Sequence, residues 1–196
     1  MGLIMHILVG NPEMLAIESC VDEFVAQKSQ MGIGYFLIHV GGRQYGVKKP
    51  RACVMGNSYN EIVSRISQDG KHILNSSSKI DSKELSIYIL NSIYNRGFEG
   101  GVIPSQWSKE IDDNLYANAL IWAPDGDSAF DDGSHVVQVD DGQFARITAF
   151  INAETQDEFE NSISDVILRR ETFYETLGAW AREFDGQWKV FLNSLS

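Results

Sequence analysis

Apolar positions in the first fifty residues come in short runs bounded by glycine and proline. Met5 to Val9 (MHILV) closes at Gly10, Asn11 and Pro12, which predicts a strand ending in a turn. Leu15 to Phe24 (LAIESCVDEF) has period-two character and predicts a second strand. The sharpest signal is Gly34 to Val40 (GYFLIHV) against Arg43 to Val47 (RQYGV). Between them Gly41 and Gly42 can both take the positive φ of a type I′ turn, so the two runs predict a β-hairpin.

The period changes further on. Ser58 to Glu61 (SYNE) has capping-box spacing and precedes Ile62, Val63 and Ile66, which predicts a short helix. Asp81 to Glu84 (DSKE) repeats the device ahead of Leu85, Tyr88, Ile89 and Ile93; the polar stretch 68–79 between them reads as a loop. Leu115 to Ala123 (LYANALIWA) resumes an extended apolar pattern. His135 to Val139 and Phe144 to Ile151 then flank Asp140 to Gln143 (DDGQ), predicting a second hairpin with an Asp-Gly turn. Val166 to Leu168 predicts a last short strand. Glu171 to Phe184 predicts a helix burying Phe173, Tyr174, Leu177, Trp180, Ala181 and Phe184. Asp185 and Gly186 are expected to break it, leaving Gln187 to Leu195 as a short final helix bearing Trp188 and Phe191. Strands that follow one another through tight turns pair antiparallel. The expected class is α+β, an antiparallel β-sheet built from hairpins with several helices packed against it, in one domain over residues 1–196.

Composition supports a folded chain. With 196 residues, 43% of them hydrophobic, it is long enough to bury a core without disulfides or metals. The two cysteines, Cys20 and Cys53, are too few for a disulfide framework and lack metal-ligand spacing, so both are expected to be reduced and buried. The N-terminal residues lack a basic leader and a cleavage pattern, and no apolar run approaches the roughly 18 residues of a membrane span, so the expected location is the cytoplasm.

Charge is uneven. Residues 1–100 carry 9 acidic and 10 basic side chains, whereas 101–160 carry 13 acidic ones against only Lys109 and Arg146; the net charge of -11 therefore sits in that internal third. Its densest part is Asp125 to Gln143 (DGDSAFDDGSHVVQVDDGQ), with six aspartates and no lysine or arginine. Nucleic acid and anionic membranes need a basic footprint and are disfavoured as partners. A basic protein or a divalent cation is the natural counterpart.

A calcium loop starting at Asp125 would put Ala129 at position 5, Phe130 at position 6 and Val136 at position 12, so the EF-hand pattern fails wherever geometry is fixed. Catalytic carboxylates need one desolvated member, and a Gly, Ser and Asp run has the profile of a wet loop. His6, His39, His72 and His135 are scattered, the cysteines have no nucleophile context, and no Walker loop or GxSxG occurs. No cofactor and no metal are expected. The chain reads as one that binds rather than one that turns over substrate.

Gly133 to Asp140 (GSHVVQVD), Ala145 to Phe150 (ARITAF), and Phe173 to Leu177 (FYETL) leading to Trp180 resemble the C-terminal half of bacterial polymorphic-toxin immunity proteins of immunity protein family 42. Ile7 to Pro12 (ILVGNP), Ala16 to Glu18 (AIE) and Gly34 to Gly42 (GYFLIHVGG) are similar to the opening of that family, whereas 75–114 matches nothing in it. The resemblance implies a cytoplasmic protein that binds and neutralises one cognate toxin of a contact-dependent or type VI system, and it supplies no catalytic residues. An acidic surface fits such a role, because it would steer a basic, nuclease-type toxin. The candidate toxin-binding residues are Asp125, Asp127, Asp131, Asp132, Asp140 and Asp141, with Trp122 as an aromatic anchor beside them. At Asp141 and Gly142 turn chemistry explains the aspartate equally well. A small Asp- or metal-dependent hydrolase and an adaptor for another basic partner stay open as alternatives, and the sequence leaves the oligomeric state undetermined.

Overall fold

The strands divide between two antiparallel sheets, and one long helix packs against both. The computed structural model describes residues 5–76, 79–101, 104–124 and 128–195. The first sheet has the order β1 (Met5–Asn11), β2 (Leu15–Phe24), β3 (Gly32–Val40), β4 (Arg43–Tyr45), and β5 (Cys53–Val54) also pairs with β3. The second has the order β6 (Ile121–Ala123), β7 (Ser134–Asp141), β8 (Phe144–Ile151), β9 (Ser164–Arg169). The helices are α1 (Met55–Ser67), α2 (Ser82–Tyr94), α3 (Ser105–Asn114), α4 (Gln156–Ser162) and α5 (Arg170–Asn193). The class is α+β, as the hairpin pattern predicts.

Period two puts Ile7, Ile17, Val21, Phe36, Ile38 and Val40 on one face of the first sheet. There they share a core with Val136, Ala145, Ile147 and Val166 of the second sheet and with Phe173, Leu177, Trp180 and Phe184 of α5. The second sheet is covered on its other face as well. Val137, Val139 and Phe150 pack there against Leu85 and Ile89 of α2, Ile111 of α3 and Phe159 of α4. A sheet buried on both sides has no face to leave polar, so β7 and β8 are buried along most of their length.

Local signals were met where the chain satisfies its own backbone. Val40 pairs with Arg43, leaving Gly41 and Gly42 as the turn with φ of +58° and +80°. Asp81 caps α2, its side chain accepting from the N–H groups of Lys83 at 2.9 Å and Glu84 at 3.4 Å.

Four expectations are corrected. α1 begins at Met55 rather than at Ser58, because the Gly56 N–H is already satisfied by the Gln30 carbonyl at 2.8 Å and the buried Met55 anchors the first turn. Within Leu115 to Ala123 only β6 is extended. Leu115 continues the helical bonding of α3, donating to the Ile111 carbonyl at 2.7 Å, and its side chain is buried in that turn. In the second hairpin Asp141 pairs with Phe144, so the turn is Gly142 and Gln143, with Gly142 at φ +58°. Lastly, α5 runs unbroken through Gly186, since the apolar stripe continues to Trp188, whose indole N–H donates to the Val25 carbonyl at 2.8 Å. A helical glycine costs about 1 kcal/mol relative to alanine, and burying a tryptophan outweighs that. Gly186→Ala is therefore expected to raise stability by about 1 kcal/mol, read as a higher urea midpoint, because a Cβ there meets nothing within 4 Å.

Candidate partner-binding surface

Asp125 and Asp127 lie outside the described residues. Asp131 and Asp132 are exposed and follow a short 3-10 turn, Ser128–Phe130, at the start of β7. Asp132 also has a local duty, its Oδ1 accepting the Ser134 N–H at 3.0 Å. Asp141 is exposed at the far end of the same strand. With about 3.3 Å of rise per residue, the two groups stand roughly 25 Å apart, so the exposed aspartates do not form one patch. Val47 N–H donates to the Ala129 carbonyl at 2.8 Å, so the loop after β4 meets the 3-10 turn that precedes the first of them.

Two candidates are inside. Trp122 is 1% exposed and Asp140 3%, so neither offers a surface to a partner. Asp140 accepts from Gly70 N–H at 2.9 Å, Gln138 Nε2 at 3.1 Å and the Tyr174 hydroxyl at 2.8 Å. That hydroxyl accepts from Gln138 Nε2 at 2.8 Å, and Gln138 Oε1 accepts from Arg65 Nη1 at 2.9 Å. The Arg65 guanidinium, itself buried, lies 5.6 Å from the Trp122 ring and forms an ion pair with Glu61 at 2.8 Å. Burial pushes Arg65 down to about 10, still charged at neutral pH, and pushes Tyr174 up. The physical reason for both corrections is the same. β6 and β7 lie between two apolar layers, and a side chain on them faces one layer or the other.

Other acidic side chains gather around α4. A bond of 2.8 Å from Gln156 Nε2 to the Glu99 carbonyl brings Glu99 beside Glu154, Asp157, Glu158 and Glu160. Lys83 pairs with Glu160 at 2.7 Å.

One carboxylate with four different donors was not foreseen at all. Glu18 sits on the face of the first sheet that points away from the core, and is 5% exposed. It accepts from His6 Nε2 at 3.0 Å, His39 Nε2 at 2.9 Å and the Tyr35 hydroxyl at 3.1 Å, and Lys48 Nζ stands at 2.8 Å. Carboxylate oxygens only accept, so both imidazoles donate through Nε2. Burial raises the Glu18 carboxyl, but the bonds from Lys48, His6, His39 and Tyr35 together outweigh it and hold it down to about 2. A carboxylate so saturated and so acidic is a poor general base. It ties β1, β2, β3 and the loop after β4 together. Only the alternation Ala16, Glu18, Cys20 was readable in the sequence; the four donors come from elsewhere.

This carboxyl predicts a pH effect. Its folded pKa lies below the ordinary value of 4.5, so the stabilisation is complete above pH 4.5 and is lost as pH falls from there toward 2. At full strength it amounts to roughly 3 kcal/mol. Wild type is expected to lose more stability than Glu18→Gln between pH 5 and pH 2.5 in urea titrations; parallel losses would refute the assignment.

Among the described residues no group of three or more His, Cys, Asp or Glu stands where it could hold a metal ion, and both cysteines are buried thiols outside any disulfide. No described helix is long and apolar enough to cross a membrane. The polar clusters of the two-sheet frame are engaged in internal bonds, and its acidic groups spread outward. The sequence model of Immunity protein 42 matches residues 5–183, and the chain belongs to that family. It is a toxin-neutralising immunity protein and not an enzyme. The fold is similar to the crystal structure of CdiI from Burkholderia dolosa, with a TM-score of 0.55 and 16% identity over 90% of this chain and 99% of that one. Comparison with curated proteins finds no match.

Proposed function

We propose that the protein binds one cognate toxin domain in the cytoplasm of the producing cell and neutralises it by stoichiometric occlusion, as part of a contact-dependent or type VI system. The observation that carries this reading is the family match over residues 5–183. The net charge of -11, with exposed acids at both ends of β7 and around α4, favours a basic toxin of the nuclease type. Several separated acidic areas raise the encounter rate with a basic partner from many directions, and rim charges act chiefly on association rather than on final affinity.

The experiment is co-expression with the toxin domain encoded immediately upstream, followed by calorimetry on the purified pair. Protection of the cells and a 1:1 complex are expected; unprotected cells would sink the reading. Replacing Asp125, Asp127, Asp131 and Asp132 together by asparagine is expected to slow association about tenfold at low salt and flatten its salt dependence. An unchanged rate would move the steering role to the acids around α4.

A further inference from the structure

We propose that the free edge of β1 is the toxin-docking element, receiving an extended, basic segment of the toxin as an added strand of the first sheet. The proposal rests on the immunity reading and specifies where that binding takes place. β1 pairs with β2 alone, so the backbone N–H and C=O groups on its other edge have no strand partner among the described residues.

Comparison of the sheet edges singles out this one. β4 and β6 have three residues each and β5 has two, too short to template a strand. β9 carries Asp165 and Arg169, exposed charges of the kind that blunt an edge. β1 has seven residues, MHILVGN, with no proline, no lysine and no carboxylate, and its register with β2 is continuous. An edge of that length without protection invites strand pairing.

The surroundings supply pockets and a sign of charge. Leu8 is 47% exposed on the outward face. At the Met5 end the edge runs into an apolar groove of about 360 Å³ lined by Met5, Phe24, Val190 and Phe191, with Asp22 and Glu23 at its rim. Glu13 stands in the turn at the other end. Arg51 engages Glu23 at 2.9 Å, and Asp22 accepts the Arg51 backbone N–H at 2.7 Å. A second copy pairing antiparallel along β1 would bring Glu13 of each molecule toward Asp22 of the other, between two chains of net charge -11. A basic segment meets no such repulsion. The strand is also pre-set for docking, because the bond from His6 to Glu18 holds β1 in place before any partner arrives.

The test is hydrogen–deuterium exchange of the full chain, alone and in complex with the catalytically inactivated toxin domain encoded upstream. Amides of 5–11 are expected to exchange at least tenfold more slowly in the complex. Leu8→Lys, which blunts the edge at a half-exposed position, is expected to weaken binding at least tenfold at an unchanged melting temperature. A complex in which 5–11 exchange as in the free protein would overturn the docking site while leaving the immunity function intact. Failure to form any complex would overturn the immunity reading and the docking site with it. Sedimentation showing a dimer that Leu8→Lys dissociates would assign the edge to a second copy and also overturn the proposal.

Discussion

Trp180→Ala is expected to lower stability by about 3–5 kcal/mol, and so to reduce the melting temperature by roughly 6–20 °C for a chain of this size. The indole is fully buried, stacks on Phe184 at 5.2 Å with an interplanar angle of 5°, and meets Phe36 edge-on at 5.1 Å. Its Nε1–H donates to Ser19 Oγ at 3.0 Å. One side chain thus joins α5 to β2 and β3, and truncation leaves a cavity that two sheets and a helix cannot close together. Trp180→Phe keeps much of the packing but leaves the Ser19 hydroxyl without its donor, so a smaller loss of about 1–2 kcal/mol is expected. Equal melting temperatures for the alanine variant and wild type would show that the core is not organised around this ring.

The second large effect is electrostatic. Arg65→Ala removes the guanidinium that donates to Gln138 Oε1 and to the Ile121 carbonyl, pairs with Glu61 and covers Trp122. Breaking a buried ionic cluster on one side costs about 3–5 kcal/mol, because the remaining polar groups are stranded without water. Tyr174→Phe removes one bond to Asp140, which keeps Gly70 and Gln138 as donors, and is expected to cost about 1–2 kcal/mol. The double variant should show a coupling of about 0.5–3 kcal/mol, since Gln138 lies between the two groups. Neither Arg65 nor Tyr174 is among the exposed residues, so association rates with the toxin below the melting transition are expected to stay at the wild-type value. Additive losses would mean that the two ends of the chain of bonds act independently.

Much of the strand pattern was legible. β1, β2, the β3–β4 hairpin, the β7–β8 pair and β9 follow from period two and turn glycines, which act within a few residues. The cap at Asp81 is equally local. α3 was hidden because its one buried residue, Ile111, gives no apolar stripe. α4 carries a local signal in the sequence, the capping box of Thr155 and Glu158. The course of the final helix is not legible at Gly186, because local propensity there favours a break while the burial of Trp188 and the half-burial of Phe191, which reach β2 and its loop, keep the chain helical.

The site was less legible than the fold. Asp131, Asp132 and Asp141 do face outward, but the length of β7 separates them. Asp140 and Trp122 looked like part of the same surface because they are near in sequence; they are inside because they face the core that their sheet shares with α5, Trp122 against Phe173 and Asp140 against Tyr174. Glu18 gave no sign of its role, since its donors come from residues 6, 35, 39 and 48.

The sequence by itself determined the α+β class, the hairpins, the placement of the negative charge and the family, because each depends on short-range chemistry or on residue pattern. Only the tertiary structure decided which carboxylates are bonded inward, which aromatics are core and which strand keeps a free edge. Burial and hydrogen-bond partnership are properties of pairs, and here the decisive pairs are far apart in the chain: Arg65 with Gln138, Ser19 with Trp180, Val25 with Trp188.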